Sequence, residues 1–364
     1  MKKVVCFFIN NISRSGGTER VTSIIANQLV NSGYEVSIVS LFSDNDRAFF
    51  DLNDNIRVYT ILRKPIRGVF GFPLVLLKLR ALVARLRVDV LINVDSILAL
   101  YTIPVCATSK SAVRNICWEH FNYHVSLGKK ARSMARSLAA KYCDDIVTLT
   151  ERDKALWIDN SRRIRNIVAI NNPAPASNAV PGIVKVNRKT MLAVGRLTYQ
   201  KGFDLLIQAF SHVVKQRRDW RLVIVGDGED RAALGQLVGD LALDDCVELA
   251  PATAQINQYY LDASLFVMSS RFEGLPMVLL EAASFGLPIV SFDCDTGPSE
   301  VLTTEFGWLC ESVGVTSLAH GILQAFEACD DPVRYAKMSS SAAAASARFS
   351  VDMVAPRWLE LLSK

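Results

Sequence analysis

The sequence has no apolar stretch long enough to cross a membrane, although half of its 364 residues are hydrophobic. A spanning helix needs about 20 mostly apolar residues. The apolar run 4–9 follows two lysines and imitates a secretory signal. It is shorter than the roughly 7–15 residues of a signal's apolar core, and Asn10 and Asn11 end it. We therefore interpret 4–9 as a buried first strand.

Metal and disulfide spacings are also missing. The eight cysteines are scattered and form no CxxC pair, which is typical of reduced core cysteines in a cytosolic protein. Asp293-Cys-Asp295 has the DxD form of a metal-binding motif, but it ends a predicted strand and leads into a turn. No second acidic or histidine cluster in the sequence supports a metal there. The sequence therefore predicts no metal and no cofactor.

The dinucleotide fingerprint GxGxxG is not met either. Gly226-Asp-Gly228 follows a predicted strand but lacks the third glycine, and no acidic residue stands out to bind a ribose, so a nicotinamide site is disfavoured. Gly16 and Gly17 lie between the first strand and the first predicted helix. Glycines there permit a tight turn and let an anion approach the helix N-terminus. A purely structural turn is the alternative for both loops.

The net charge of +5 hides an asymmetry between the two halves of the chain. Residues 1–180 contain 25 Lys and Arg against 14 Asp and Glu, whereas residues 181–364 contain 16 against 22. A basic first half indicates a partner such as an anionic membrane surface, a lipid diphosphate or a nucleic acid. Segment 70–87 reads as a basic amphipathic helix that could lie on such a membrane. The alternatives are an uneven solvated surface and a domain helix with one wet face.

Apolar runs alternate with helical patterns along the whole chain, which predicts parallel sheets covered by helices. The predicted strands are 4–9, 35–41, 88–93, 113–118, 146–150, 190–194, 221–225, 265–269 and 288–292. A segment rich in proline, 171–182, interrupts this rhythm and reads as an interdomain linker. We predict an α/β protein with two Rossmann-like doubly wound domains that face a cleft, where the carboxyl ends of such sheets bind ligands. The domains are 1–175, completed by a C-terminal helix 350–364, and 185–349.

The second half contains a cluster of charged residues that favours a nucleotide-sugar site. Arg196 and Lys201 follow the first strand of the second domain and suit an anionic diphosphate. Glu273 lies in the loop after the strand 265–269, and Glu281 lies about one turn into the next helix, where carboxylates suit the hydroxyls of a sugar and a ribose. The N–H groups near Gly274, at the start of that helix, would face the diphosphate. Ordinary surface charges are the alternative, although the apolar neighbours of Glu281 disfavour it there.

His120 lies in Trp118-Glu-His-Phe-Asn-Tyr-His124, directly after a predicted strand and before a basic helix, 129–141. A strand's carboxyl end is a common place for a functional side chain in an α/β domain. An isolated histidine is more often structural. We predict a functional role for His120.

Several segments together resemble a glycosyltransferase of family 4, the large retaining family with the GT-B fold. They occur in the family's order and are 16–20, 118–120, 194–202, 223–228, 271–276 with 281–282, and 297–300. The resemblance implies that Arg196 and Lys201 hold the donor diphosphate, that Glu273 contacts the donor hexose and that Glu281 binds the ribose. It also implies that the Gly16-Gly17 loop lines the cleft, that His120 lies near the donor sugar's 6-position, and that the last helix crosses back onto the first domain. Thr296-Gly297 departs from the family's more usual glycine pair.

We therefore predict a metal-independent, retaining transfer of a hexose or N-acetylhexosamine from a UDP-sugar to an acceptor hydroxyl. The catalytic residues we predict are His120, Arg196, Lys201 and Glu273. The donor-binding residues we predict are Gly16, Gly17, Arg196, Lys201, Gly226, Gly274, Leu275, Met277, Val278 and Glu281. The expected partners are a lipid-linked or oligosaccharide acceptor and an anionic membrane surface, with no nucleic acid, for a protein on the cytoplasmic face of the membrane. The alternatives are an epimerase or phosphorylase on the same fold, or a catalytically silent sugar-nucleotide binding protein.

Overall fold

The computed structural model describes residues 3–44, 47–64, 71–126, 128–174 and 188–364. The chain divides into two compact units. The first unit combines Met1–Pro173 with Val351–Lys364, and the second unit is Ala174–Ser350. The predicted domain bounds were 1–175 with 350–364, and 185–349. Most of the predicted linker 171–182 lies outside the described residues.

The first unit contains one parallel sheet of seven described strands, ordered β3-β2-β1-β4-β5-β6-β7. These strands are β1 (Val4–Ile9), β2 (Glu35–Phe42), β3 (Arg57–Leu62), β4 (Val90–Val94), β5 (Arg114–Trp118), β6 (Asp145–Thr148) and β7 (Ile167–Ala169). The central strand β1 is a continuous apolar run, which is typical of a parallel sheet that helices cover on both faces. The strand order reverses between β1 and β4, which makes their carboxyl ends the switch point of the sheet.

Helices flank this sheet on both sides. They are α1 (Gly17–Asn31), α2 (Gly71–Leu86), α3 (Ala99–Ala107), α4 (Lys130–Tyr142), α5 (Glu151–Asn160) and, from the end of the chain, α13 (Val351–Ser363). Helices α2, α3 and α4 pack side by side, and α13 packs against α1. Trp358 of α13 contacts Trp118 with ring centroids 4.7 Å apart, and both indoles are fully buried. The C-terminal helix is therefore part of the core of the first unit.

The second unit contains a parallel sheet of six described strands, ordered β10-β9-β8-β11-β12-β13. These strands are β8 (Thr190–Val194), β9 (Arg221–Val225), β10 (Val247–Ala250), β11 (Leu265–Met268), β12 (Ile289–Phe292) and β13 (Gly307–Cys310). The order reverses between β8 and β11, so the switch point of this sheet lies between their carboxyl ends.

Seven helices surround the second sheet in the described residues. They are α6 (Phe203–Val213), α7 (Arg231–Asp240), α8 (Ile256–Asp262), α9 (Met277–Ser284), α10 (Pro298–Val301), α11 (Val315–Asp330) and α12 (Pro332–Ala347). Helices α6 and α11 pack against each other on the main core, where Trp220 stacks on Phe326 with centroids 3.8 Å apart. Two doubly wound α/β units confirm the predicted fold class.

The amphipathic segment 70–87 forms helix α2 over its described part. Val75, Leu79 and Val83 form its buried face in the core of the first unit. Phe72 and Leu77 are 44% and 67% exposed on the other face. The helix is thus a domain helix that also presents apolar side chains to solvent. None of the helices in the described residues is long and apolar enough to span a membrane.

Candidate active site

Two loops meet at the switch point of the second unit. One runs from the end of β8 to the start of α6, and the other runs from the end of β11 to the start of α9. Because β8 and β11 are neighbours in a parallel sheet, both loops leave the same edge side by side. Arg196 and Lys201 lie on the first loop, and Glu273 lies on the second.

Lys201 and Glu273 form an ion pair across these loops. Lys201 Nζ lies 2.6 Å from Glu273 Oε1, and their side chains are 18% and 8% exposed. A short, charge-assisted hydrogen bond in a largely desolvated position is the stronger kind of ion pair. The structure therefore brings together two of the predicted site residues that are 72 positions apart in sequence.

The backbone of the two loops is also joined. Arg271 N donates to Gln200 O at 2.8 Å, and Gln200 Nε2 donates to Phe272 O at 3.1 Å. The Arg271 guanidinium donates to Tyr199 O and makes a bidentate contact with Asp204 at 2.9 and 2.6 Å. These contacts fix the loop that carries Lys201 relative to the loop that carries Glu273.

Gly202 explains how the first loop can pass so close to the second. It has a left-handed φ of 63°, and an added Cβ would lie 2.1 Å from Ser269 O. The Ser269 hydroxyl donates to Lys201 O at 2.9 Å, and this hydrogen bond holds the two loops together at the point of closest approach. A side chain at position 202 would push the loops apart.

Arg196 differs from Lys201 in its surroundings. Its side chain is exposed, and it makes no hydrogen bond or ion pair within the described residues. It lies two residues after β8, so its guanidinium can reach an anion at the strand ends without first breaking a contact. The solvated Arg196 thus lies at the same sheet edge as the paired Lys201.

Helix α9 begins directly after the second loop. Pro276 is its N-cap, and the predicted donor-binding residues Gly274, Leu275, Met277 and Val278 surround this N-terminus. The first-turn N–H groups of a helix have no intrahelical acceptors, which makes this end a favourable place for an anion. Glu281 accepts a hydrogen bond from the Tyr260 hydroxyl at 2.8 Å. The carboxylate therefore has the partner that its packed helix requires.

Gly226 has a packing role in the structure. Its φ is 157°, and an added Cβ would lie 1.9 Å from Gly195 O, so the loop after β9 lies directly against the loop after β8. Its predicted contact with the donor stays a prediction. No group of three or more His, Cys, Asp or Glu in the described residues is arranged to hold a metal ion, and this applies to Asp293 and Asp295.

In the first unit, Gly16 and Gly17 lie where the sequence predicted. Gly16 is the N-cap of α1, and its carbonyl accepts from Arg20 N at 3.1 Å. An added Cβ at Gly16 would meet Glu19 Oε2, the mobile end of a side chain. The loop therefore follows β1 at the switch point of its own sheet, next to the carboxyl end of β4.

His120 follows β5 and is buried. It is 9% exposed, its ring centroid lies 4.5 Å from that of Trp118, and its Nε2 has no hydrogen-bond partner among the residues that the structure describes. Burial lowers the pKa of His120 to about 4, against a smaller opposing effect of Glu119. His120 is therefore neutral at pH 7.

Buried charges hold the loop that carries His120. Glu119 is fully buried and pairs with Arg136 Nε at 2.8 Å. The other guanidinium nitrogens of Arg136 donate to Tyr123 O and Val125 O at 2.6 and 2.8 Å. Arg132 makes a bidentate pair with Asp95 at 2.6 and 2.9 Å. Two arginines of α4 thus connect the ends of β4 and β5 to the loop after β5.

The sequence interpretation missed several of these residues. Arg271, Tyr260, Thr296 and Arg136 each hold a predicted site residue or its loop through a hydrogen bond. The sequence offered one usable signal, the spacing of four between Arg132 and Arg136, which places both arginines on one face of α4. Pairs that join separate elements, such as Tyr260 of α8 with Glu281 of α9, produce no periodic pattern in the sequence.

Two family models match the chain. "Glycosyltransferase Family 4" matches residues 15–177, and "Glycosyl transferases group 1" matches residues 180–342. An uncharacterized glycosyltransferase of Haemophilus influenzae is 34% identical over the full length of both chains. The amylovoran biosynthesis glycosyltransferase AmsD of Erwinia amylovora is 31% identical over 81% of this chain and 82% of its own length.

Solved structures of glycosyltransferases share the fold. A crystal structure of Staphylococcus aureus TarM, a complex with UDP, fondaparinux and α-GlcNAc-glycerol, has a TM-score of 0.81 over all of both chains at 16% identity. The matched models, the relatives and the two Rossmann-like units agree with one another. The chain belongs to the family 4 glycosyltransferases and has their GT-B fold.

Proposed function

We propose that this glycosyltransferase moves a hexose or N-acetylhexosamine from a UDP-sugar to an acceptor hydroxyl with retention of the anomeric configuration. The observation that carries the proposal is the Lys201–Glu273 pair beside the exposed Arg196 at the switch point of the second unit. This edge combines cations, a carboxylate and a helix N-terminus. Such a set suits a sugar attached to a diphosphate.

In the proposed reaction, the bond between the anomeric carbon and the diphosphate oxygen breaks and UDP leaves with the bonding electrons. The acceptor oxygen bonds to the anomeric carbon on the same face, and its proton passes to the departing diphosphate. Arg196 and Lys201 stabilise the negative charge that develops on that diphosphate. Glu273 binds hydroxyls of the transferred sugar, and Glu281 binds those of the ribose. Neutral His120 is proposed to serve the donor sugar as a hydrogen-bonding group.

We propose that the acceptor is a lipid-linked or oligosaccharide intermediate of a bacterial surface polysaccharide. The name of AmsD, a relative in amylovoran biosynthesis, supports this class. The UDP in the TarM complex supports the choice of nucleotide. The excess of 25 basic over 14 acidic residues in positions 1–180 suits an anionic lipid diphosphate.

The decisive experiment incubates the purified protein with a panel of UDP-sugars and lipid-diphosphate acceptors and identifies products by mass spectrometry. We expect an adduct heavier by one hexose or N-acetylhexosamine, with an α linkage from an α donor. UDP release in the absence of any acceptor, or a sugar phosphate product, would favour an epimerase or phosphorylase. Binding of UDP without turnover across the panel would favour a silent binding protein. An inverted linkage would refute retention.

We propose that no metal takes part, because Arg196, Lys201 and the N–H groups at the start of α9 would neutralise the diphosphate. Transfer should therefore proceed at its full rate in EDTA. Loss of activity in the chelator, with recovery on adding Mn²⁺ or Mg²⁺, would contradict this proposal and would point to Asp293 and Asp295.

We propose that the outer faces of α2 and α4 contact the cytoplasmic face of an anionic membrane. Phe72 and Leu77 on α2, and Met134 and Tyr142 on α4, are large apolar side chains with exposures between 44% and 67%. They lie among basic residues, which are Lys78, Arg80, Arg85, Lys129, Lys130 and Lys141. An anionic leaflet attracts each nearby basic residue by about 1 kcal/mol, and salt screens this over about 10 Å at 0.1 M.

Vesicle flotation tests this surface. The protein should float with anionic vesicles, float less in high salt, and fail to float with neutral vesicles. The double substitution Leu77→Glu and Arg80→Glu should reduce flotation strongly. Val333→Glu, at an apolar position of the second unit that is 80% exposed, is the matched control and should have no effect. Equal flotation with anionic and neutral vesicles would refute the proposed electrostatic contribution to membrane binding.

A further inference from the structure

Thr296 follows β12, the strand next to β11 in the second sheet. Its side chain is completely buried, and its hydroxyl donates to Glu273 O at 2.7 Å. Because β11 lies between β8 and β12 in the sheet, the loop that carries Glu273 lies between the loop after β8 and the loop after β12. Glu273 is held at two points by two different loops, at its carboxylate by Lys201 and at its carbonyl by Thr296.

The hydroxyl of Thr296 sets the direction of one peptide group. In a trans peptide the C=O and the following N–H point in opposite directions. With the carbonyl of Glu273 directed at Thr296, the N–H of Gly274 is directed away from Thr296. That N–H belongs to the segment that leads into the N-terminus of α9.

Gly297 supports the same segment from the same side. Its φ is 102°, and an added Cβ would lie 2.6 Å from both Gly274 O and Pro276 Cδ. The backbone at 296–297 is therefore in direct contact with 273–276. A glycine in place of Thr296 would keep this contact but would remove the hydrogen bond to Glu273 O.

We infer that Thr296 is a positioning residue for glycosyl transfer, which orients the Glu273–Gly274 peptide through its hydroxyl. This inference rests on the proposed function. Under that function the peptide faces the place where charge develops as the diphosphate leaves. Donors fixed in advance at such a place act on turnover more than on ground-state binding.

The test compares Thr296→Val, which keeps the shape but loses the hydroxyl, with Thr296→Ser, which keeps the hydroxyl. Thr304→Val, at an exposed threonine of the same unit, is the control. With the UDP-sugar that the wild type uses, we expect kcat of Thr296→Val to fall about tenfold while KM for the donor changes less than threefold. Thr296→Ser should stay within about threefold of the wild type, and Thr304→Val should match it.

A second measurement separates this inference from the proposed function. Hydrogen exchange of the unliganded proteins should be faster over residues 270–280 in Thr296→Val than in the wild type or Thr296→Ser, and unchanged elsewhere. A wild type that transfers no sugar would refute the proposed function, whereas the exchange pattern would still show that the hydroxyl orders the loop. Equal exchange in all proteins, or a Thr296→Val enzyme with wild-type kcat, would overturn the inference.

Discussion

The two sheets use charge differently at the edges where their strands end. In the second unit, Arg196 is exposed, and the Lys201–Glu273 pair is largely desolvated but keeps 18% of the Lys201 side chain exposed. In the first unit, Glu119 and Arg136 are buried to 0% and 2% exposure and point inward. One edge leaves a cation exposed to solvent, whereas the other uses its charges to hold a loop.

This difference assigns the two edges different physical roles. A buried pair adds little net stability over apolar packing, but removal of one member leaves an uncompensated charge. The charges of the first unit therefore fix the loop that carries His120. Those of the second unit can exchange protein partners for a bound anion. Each of the following predictions tests one side of this comparison.

The largest effect is expected at Arg136. Arg136→Leu leaves the fully buried Glu119 without its hydrogen-bonded cation, with Arg132 Nη1 3.9 Å away, and leaves two backbone carbonyls without their donor. The unfolding free energy of the first unit should fall by about 3–5 kcal/mol, measured by urea denaturation. Lys130→Ala, at an exposed position of the same helix, should change it by less than about 0.5 kcal/mol. A loss below about 1 kcal/mol for Arg136→Leu would mean that this network does not hold the loop.

At the edge of the second unit the effect should appear in the rate. Arg196→Ala and Lys201→Ala should each reduce transfer by about 10²–10³-fold, because each removes one preorganised group that stabilises the leaving diphosphate. Circular dichroism should show that both variants remain folded. Lys215→Ala, an exposed lysine of the same unit, is the control and should keep full activity. Near-normal turnover in either variant would remove that residue from the proposed role.

The buried His120 predicts a pH dependence of stability. Its folded-state pKa, lowered by burial to about 4, lies below the value of 6.5 expected when the chain is unfolded. Between these pH values the unfolded state binds more protons at His120. The contribution of the neutral His120 to the free energy of unfolding is therefore complete above pH 6.5 and is lost as the pH falls toward 4. Relative to His120→Gln, the wild type should lose about 3 kcal/mol over this range.

Denaturation midpoints of both proteins at several pH values measure this difference. The His120→Gln reference is needed because Asp153 also titrates in this range. Burial raises the pKa of the Asp153 carboxyl to about 7, which makes the free energy of unfolding fall as the pH rises, equally in the wild type and in His120→Gln. Parallel curves for the wild type and His120→Gln would show that His120 is protonated as readily in the folded state as in the unfolded state.

The smallest effect concerns the ribose. Glu281→Gln keeps the shape but loses the charge that strengthens hydrogen bonds from hydroxyls, which is worth about 1.5–3 kcal/mol. UDP affinity in calorimetry should weaken tenfold or more. Tyr260→Phe removes only the hydrogen bond that orients Glu281 and should weaken UDP binding by about two- to fivefold. Unchanged affinity in Glu281→Gln would contradict the assignment.

Central strands could be predicted from the sequence, and edge strands could not. β1, β8 and β9 have the predicted bounds because a strand buried on both faces is a continuous apolar run. The missed strands are β3, β7, β10 and β13. Each lies at an edge of its sheet and is short or partly exposed, and β3 and β10 also mix polar with apolar side chains.

For the candidate site, the sequence indicated which residue types follow which strands. Residue type and loop position were enough to select Lys201 and Glu273, because the carboxyl ends of neighbouring parallel strands converge. Their pairing depends on the order of strands in the sheet, which single-sequence periodicity does not encode. The hydrogen bond of Tyr260 joins two helices and that of Thr296 joins two loops, so both became visible only in three dimensions.

The C-terminal helix α13 makes the second unit an insertion within the first. Lys3 Nζ donates to Leu362 O at 2.7 Å, so the two ends of the first unit lie side by side. A short linker between those ends, with a new start at Ala174, would give a circular permutant in which each unit is one uninterrupted segment. In the natural order the second unit is fully synthesised before α13 emerges, so it can fold while the first unit still lacks Trp358 from its core.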